Sequence, residues 1–135
     1  DDRLAYRDWI LAQTATFWDT FRERFLVLWR AEARGDVFPA ALFADPAGAA
    51  ALEAAREAFL QGLLGDMLGF AACKMIRRIL GFAHVADFER IADAGARADC
   101  ETGALALARL ILTHPGQLST VAEVLDAVPR MTGRA

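Results

Sequence analysis

The chain has 135 residues, about the size of one ordinary domain, and 56% of them are hydrophobic, above the roughly 45–50% of typical soluble proteins. A formal net charge of −3 excludes a general nucleic-acid binder, which carries a basic excess, so any anion site must be local. Two isolated cysteines, Cys73 and Cys100, make neither a disulfide framework nor a zinc motif, and they read as reduced, buried thiols.

The first helix is predicted from about Arg3 to Arg34. Ile10, Phe17, Phe21, Phe25 and Leu28 recur at intervals of seven, four, four and three, one face of a 3.6-residue repeat. Trp9, Trp18 and Trp29 widen that face, and the aromatic stripe reads as core. Gly35 supplies the stop, because glycine tolerates the left-handed cap conformation. In "GDVFPAALFADP", Pro39 and Asp45-Pro46 mark a connection and not a strand. Asp45 then caps a second helix with Pro46 at its first position, predicted to run to about Gly81. Gly62, Gly65 and Gly69 each cost about 1 kcal/mol relative to alanine, and three so close together predict a bend or break near Asp66.

A brief helix is predicted around "ADFERIA", then a longer one from Ala94 to Thr113 with Asp93 as its cap. Leu105, Leu107, Ala108, Leu110, Ile111 and Leu112 form its apolar side, and Pro115 ends it. A last helix, Val121 to Val128, has Thr120 and Glu123 at capping-box spacing. No segment alternates with period two, so the fold class is all-α, a bundle-like single helical domain over residues 1–135. No secretory leader is visible. The most apolar window, Phe59 to Cys73, contains Gln61 and Asp66 and falls short of the ~20 apolar residues of a membrane span. The expectation is a soluble, cytoplasmic protein with no membrane partner. The chain has no initiator methionine and opens on what reads as a first helical turn, which suggests a piece of something longer.

The chemistry-bearing feature is "CKMIRRILGFAHV". Phe70, Ala72, Met75, Ile76, Ile79 and Leu80 are the apolar positions, while Lys74, Arg77, Arg78 and Gly81 fall at i, i+3, i+4, i+7, one stripe of the helix. The stripe carries three cations and no acid, and the glycine at its end leaves room for an approaching group. Two readings stand. The cations complement the C-terminal end of the helix dipole or simply face water; or they hold an anion or polyol, for which arginine's planar fork is suited. His84, just past the helix, reads either as a structural helix-end residue or as a secondary donor to the same ligand. Catalytic residues, a phosphate-cradling loop and a metal-ligand cluster are not found in the sequence.

"LGFAACKMIRRILGFAHVADFERIADAGARADCETGALALARLIL", with "FWDTFRERFLVLW", "FPAALF" and "STVAEVLDAV", resembles the C-terminal region of bacterial S-methyl-5-thioribose kinases from about Tyr6 to Val128. That resemblance implies a kinase-like fold related to choline kinases and aminoglycoside phosphotransferases. It implies ATP-dependent phosphorylation of the 1-hydroxyl of methylthioribose in methionine salvage. ATP and Mg2+ would bind mainly outside this chain, in an upstream β-rich lobe and at upstream catalytic and metal-binding acids. The family's twin arginines match Arg77 and Arg78, which would lie against the sugar and the transferring phosphoryl group, with Lys74 as a neighbouring charge. The chain by itself is then expected to be inactive and to work with the upstream kinase lobe, a small-molecule sugar and, in the family, a second copy. Two other expectations compete: a stand-alone helical interaction module whose basic face binds an acidic partner, and the same region of a related small-molecule phosphotransferase.

Overall fold

Capping side chains and prolines set where the helices begin. The computed structural model describes residues 2–32 and 37–131. Among these it is all-α: α1 (Asp2–Ala31), α2 (Pro46–Leu80), α3 (Ala86–Glu89), α4 (Ala94–Thr113) and α5 (Val121–Met131). Short 3-10 turns lie at Ala40–Phe43 and Pro115–Gln117, and no strand occurs among the described residues. The stop assigned to Gly35 falls outside them. Asp45 caps α2 as its sequence predicts, its Oδ1 accepting from the Gly48 N–H at 2.6 Å. Asp93 does the same for α4 through the Ala96 N–H at 2.6 Å. At α5 the Thr120 Oγ1 accepts from the Glu123 N–H, while Glu123 Oε2 accepts from the Thr120 N–H, a reciprocal capping box.

The chain divides into two compact units, Asp1–Leu63 and Leu64–Ala135. In the first unit α1 packs on the opening turns of α2 through aromatic rings. Trp18, Phe21, Phe25 and Trp29 follow one another with centroids 5.6–5.7 Å apart. Phe59 of α2 stacks on Phe25 at 5.9 Å and meets Trp29 edge-on at 5.3 Å. Ion pairs flank the rings: Arg22 to Glu57 at 2.6 Å, and Arg30 to Glu53 at 2.8 Å. Arg56 shares Glu53 and is itself buried, its guanidinium 5.7 Å from the centroid of Trp29.

The aromatic stripe is only partly core. Phe21 and Phe25 join the ring packing, but Ile10, Phe17 and Leu28 are exposed, Phe17 by 64%. The residues that meet α2 are Arg22, Phe25 and Trp29, spaced three and four. Because α1 is apolar on more than one side, periodicity alone could not choose between its faces.

In the second unit the rest of α2 joins α3, α4 and α5. Ala72, Ala108 and Ala127 are fully or almost fully buried, and small side chains of this kind let backbones approach closely. Leu64, Leu68, Ile111, Leu118, Val121 and Val124 are the larger buried apolar side chains beside them. Leu112, assigned to the apolar side of α4, is exposed, as are Phe70 and Leu80 of α2.

Of the bend or break predicted near Asp66, the break does not occur: α2 is one uninterrupted helix of 35 residues. Nothing lies within 4 Å of where a Cβ would sit at Gly62, Gly65 or Gly69, so no close packing explains them. Buried Leu60, Leu64, Leu68 and Ala72 recur every four residues through the glycine segment. Their burial is worth about 1.5–3 kcal/mol for each leucine, which outweighs the glycine cost of about 1 kcal/mol apiece. This continuity also lengthens the apolar run: α2 contains an 18-residue window of mean hydropathy 1.3, long and apolar enough to cross a membrane. A core helix passes the same test, so length and composition do not decide. Both cysteines are free, but Cys73 is exposed and Cys100 half-buried, a correction to the buried thiols expected from composition.

Candidate functional site

The last three turns of α2 present Ala71, Lys74, Met75, Arg78 and Ile79 to a groove closed by Val85, Phe88 of α3 and Ala104 of α4. Those α2 residues fall at i, i+3, i+4, i+7 and i+8, one face of a helix. The groove encloses about 330 Å³ and is apolar except for its two cations. No acid lines it. Lys74 is exposed at its edge and Arg78 is half-buried.

Arg78 also ties down the chain that leaves α2. Its Nη1 donates to the carbonyl oxygen of Ala83 at 3.3 Å, across the linker that leads to α3. That bond holds Phe82–Val85 beside the groove, where Val85 forms part of the wall. Arg77, one position earlier, is exposed and does not line the groove. Its carbonyl oxygen accepts from the Gly81 N–H at 3.0 Å.

Gly81 therefore has a local reason to be glycine. A Cβ there would sit 2.5 Å from the Arg77 carbonyl oxygen, closer than real Cβ contacts come. Sequence reading took this glycine as clearance for a ligand; the contact it relieves is instead with the chain's own backbone. His84 is exposed and lies in the linker, outside the set that lines the groove.

The stripe read from sequence is thus divided by the structure. Lys74 and Arg78 come together on the groove, while Arg77 and His84 are not part of its lining. Sequence reading missed the apolar half of the site, Met75, Ile79, Val85 and Phe88. The signal was present in "HVADFE", where Val85 precedes the helix and Phe88 falls three residues later, but four helical residues are too few for periodicity to register.

Chemically, the groove offers an amphiphilic arrangement. An ammonium and a guanidinium at one side hold anionic or hydroxyl oxygens, and the apolar wall takes a nonpolar substituent. Among the described residues no group of three or more His, Cys, Asp or Glu is placed to hold a metal ion, and the groove lining contains neither a general base nor a nucleophile apart from Lys74. A smaller apolar cavity of about 160 Å³, lined by Cys100, Leu107, Val128 and Met131 among others, shares Met75 and Ala104 with the groove.

No family model matches the chain. Its sequence is 37% identical over 127 residues to methylthioribose kinase 1 of Oryza sativa subsp. japonica, covering 93% of this chain and 29% of that protein. It is 34% identical over 125 residues to the methylthioribose kinase of Escherichia coli O45:K1, with the same 93% and 29% coverage. Against the methylthioribose kinase of Yersinia pseudotuberculosis serotype O:1b it is 39% identical over 115 residues, 84% of this chain and 25% of that one. The chain spans about 29% of the length of the first two relatives.

Proposed function

Because the chain is homologous over most of its length to a region of the methylthioribose kinases, we propose that it is the C-terminal, substrate-side portion of such an enzyme. The complete protein would transfer the γ-phosphoryl group of ATP to the 1-hydroxyl of methylthioribose, in the cytoplasm. The observation that carries this reading is similarity along 93% of the chain to proteins that share one name across a plant and several bacteria. Arg77 and Arg78 would engage the sugar and the transferring phosphoryl group, with Lys74 as the adjacent charge and His84 as a further donor.

The chemistry suits the residue types. Phosphoryl transfer is catalysed largely by positioning and by cations that stabilise charge spread over the phosphate oxygens. Arginine does this with a planar fork that lysine lacks. The local geometry supports a division of labour: Arg78 stands at the groove and pins the linker through Ala83, while Arg77 is exposed and free of the groove wall. The residues present form no nucleotide-phosphate loop and no metal cluster among those described, so ATP and Mg2+ are assigned mainly to the rest of the enzyme. The isolated chain is then inactive, and the upstream lobe is its obligatory partner.

The test is Arg77→Lys and Arg78→Lys in the full-length enzyme. An arginine acting on a transferring phosphoryl group contributes about 10³-fold or more in rate, so turnover should fall far beyond any change in thermal stability. If both variants keep near-normal turnover, the cations serve the helix dipole and the assignment fails.

A further inference from the structure

Two sides of α1 are apolar, and the described structure covers only one of them. Phe25 and Trp29 pack on Phe59 of α2, and Trp18 is buried beside Phe21. Tyr6, Trp9, Ile10, Phe17 and Leu28 remain exposed, between 44% and 64% of their surface open. Ile10, Phe17 and Leu28 lie along one line of the helix, at i, i+7 and i+18, and Tyr6 flanks it. Tyr6 and Trp9 already stack on each other with centroids 5.9 Å apart. Further along, Gln13, Thr16, Phe17, Thr20, Phe21 and Arg24 frame a shallow depression on α1 itself. Contiguous exposed apolar surface of this extent on a helix marks a contact face.

We propose that this side of α1 is the surface on which the remainder of the full-length kinase packs. The inference rests on the reading of the chain as one portion of such an enzyme. What favours this occupant is length. The relatives are more than three times longer than the matched region, so most of the polypeptide that must pack somewhere lies outside the residues described. The composition of the face agrees. Its large exposed side chains, Tyr6, Trp9, Ile10, Phe17 and Leu28, are aromatic or aliphatic, as in the core of a permanent interface, while Gln13, Thr16, Thr20 and Arg24 beside Phe17 make its polar part.

The experiment is hydroxyl-radical footprinting of the full-length protein, read at Trp9 and Phe17, with methylthioribose kinase activity measured on the same preparation. The expected result is that Trp9 and Phe17 are oxidised as slowly as buried Trp18, at protein concentrations where sedimentation shows a monomer as well as above them. Oxidation at the rate of an open side chain overturns the proposal. So does protection that appears only as the protein dimerises, which assigns the face to a second copy. A protein that phosphorylates methylthioribose yet leaves Trp9 and Phe17 open sinks the docking face and keeps the kinase reading. Protection in a protein without that activity does the reverse. A second variant guards against misfolding: Phe17→Glu should lower the melting temperature of the full-length protein by several degrees, whereas Asp19→Lys, an exposed position two residues on and so nearly opposite on α1, should leave it unchanged. Equal, negligible effects from both count against the docking face.

Discussion

The two compact units solve the burial problem in different ways. Residues up to Leu63 rely on large aromatic rings and ion pairs, and they leave one side of α1 open. Residues from Leu64 onward rely on small buried alanines, capped helix starts and short connections, and they carry the groove with its two cations. Large rings tolerate imprecise helix spacing, because each covers much surface and can pack edge-on or stacked. Alanine-lined contacts permit only close approach, so the caps and linkers must be right. A site that depends on sub-ångström placement is better built on the second plan.

This contrast predicts unequal responses to truncation. Leu60, 1% exposed, is the most buried large side chain of the first unit. Leu60→Ala in the full-length protein should cost about 2–5 kcal/mol, read from urea denaturation, with turnover per folded molecule unchanged. A loss of turnover without a loss of stability would mean that the packing region and the reactive region are not separable in this way.

Glycine substitution should split along a different line. At Gly65 the space for a Cβ is open, so Gly65→Ala should stabilise the protein by about 1 kcal/mol. At Gly81 the Cβ meets the Arg77 carbonyl, so Gly81→Ala should destabilise and should also displace the linker that Arg78 pins. Limited proteolysis between Gly81 and Val85 reads the second effect. Equal behaviour at the two positions would remove the structural reason given for Gly81.

Much of this architecture was legible in the sequence because caps and prolines act locally. Asp45-Pro46, Asp93 and the Thr120/Glu123 pair set helix starts through neighbouring N–H groups, and all three appear as read. What depends on tertiary context was not legible. The chosen face of α1 is set by contacts with Phe59, Glu53 and Glu57 across a long connection. The survival of α2 through three glycines depends on burial of Leu60, Leu64 and Leu68, and buried Arg56 is anchored by an acid three residues away and a ring on another helix. At the groove, spacing identified Lys74 and Arg78 as neighbours, but whether Arg77 shares their surroundings depends on where the linker returns.

The smallest effect separates the two units by their carboxylates. Glu53, in the first, has its carboxyl held below the usual value of 4.5, first by the hydrogen bond from Arg30 and further by the bond from Arg56. Glu123, in the second, is also held below 4.5, but by the Ser119 hydroxyl and N–H together with Thr120, all of them uncharged donors. Depressed carboxyl values mean that each contact stabilises the fold fully above pH 4.5 and is lost as pH falls through the lower folded value. Salt distinguishes them. At 1 M ionic strength the screening length is about 3 Å, so an exposed charge pair weakens while short dipolar hydrogen bonds persist. Carboxyl titration by NMR in the full-length protein, at low and at 1 M salt, should therefore show the Glu53 midpoint rising toward 4.5 while that of Glu123 stays where it was. If both midpoints rise together, the α5 capping box is held by long-range charge and the contrast between the two units does not extend to their electrostatics.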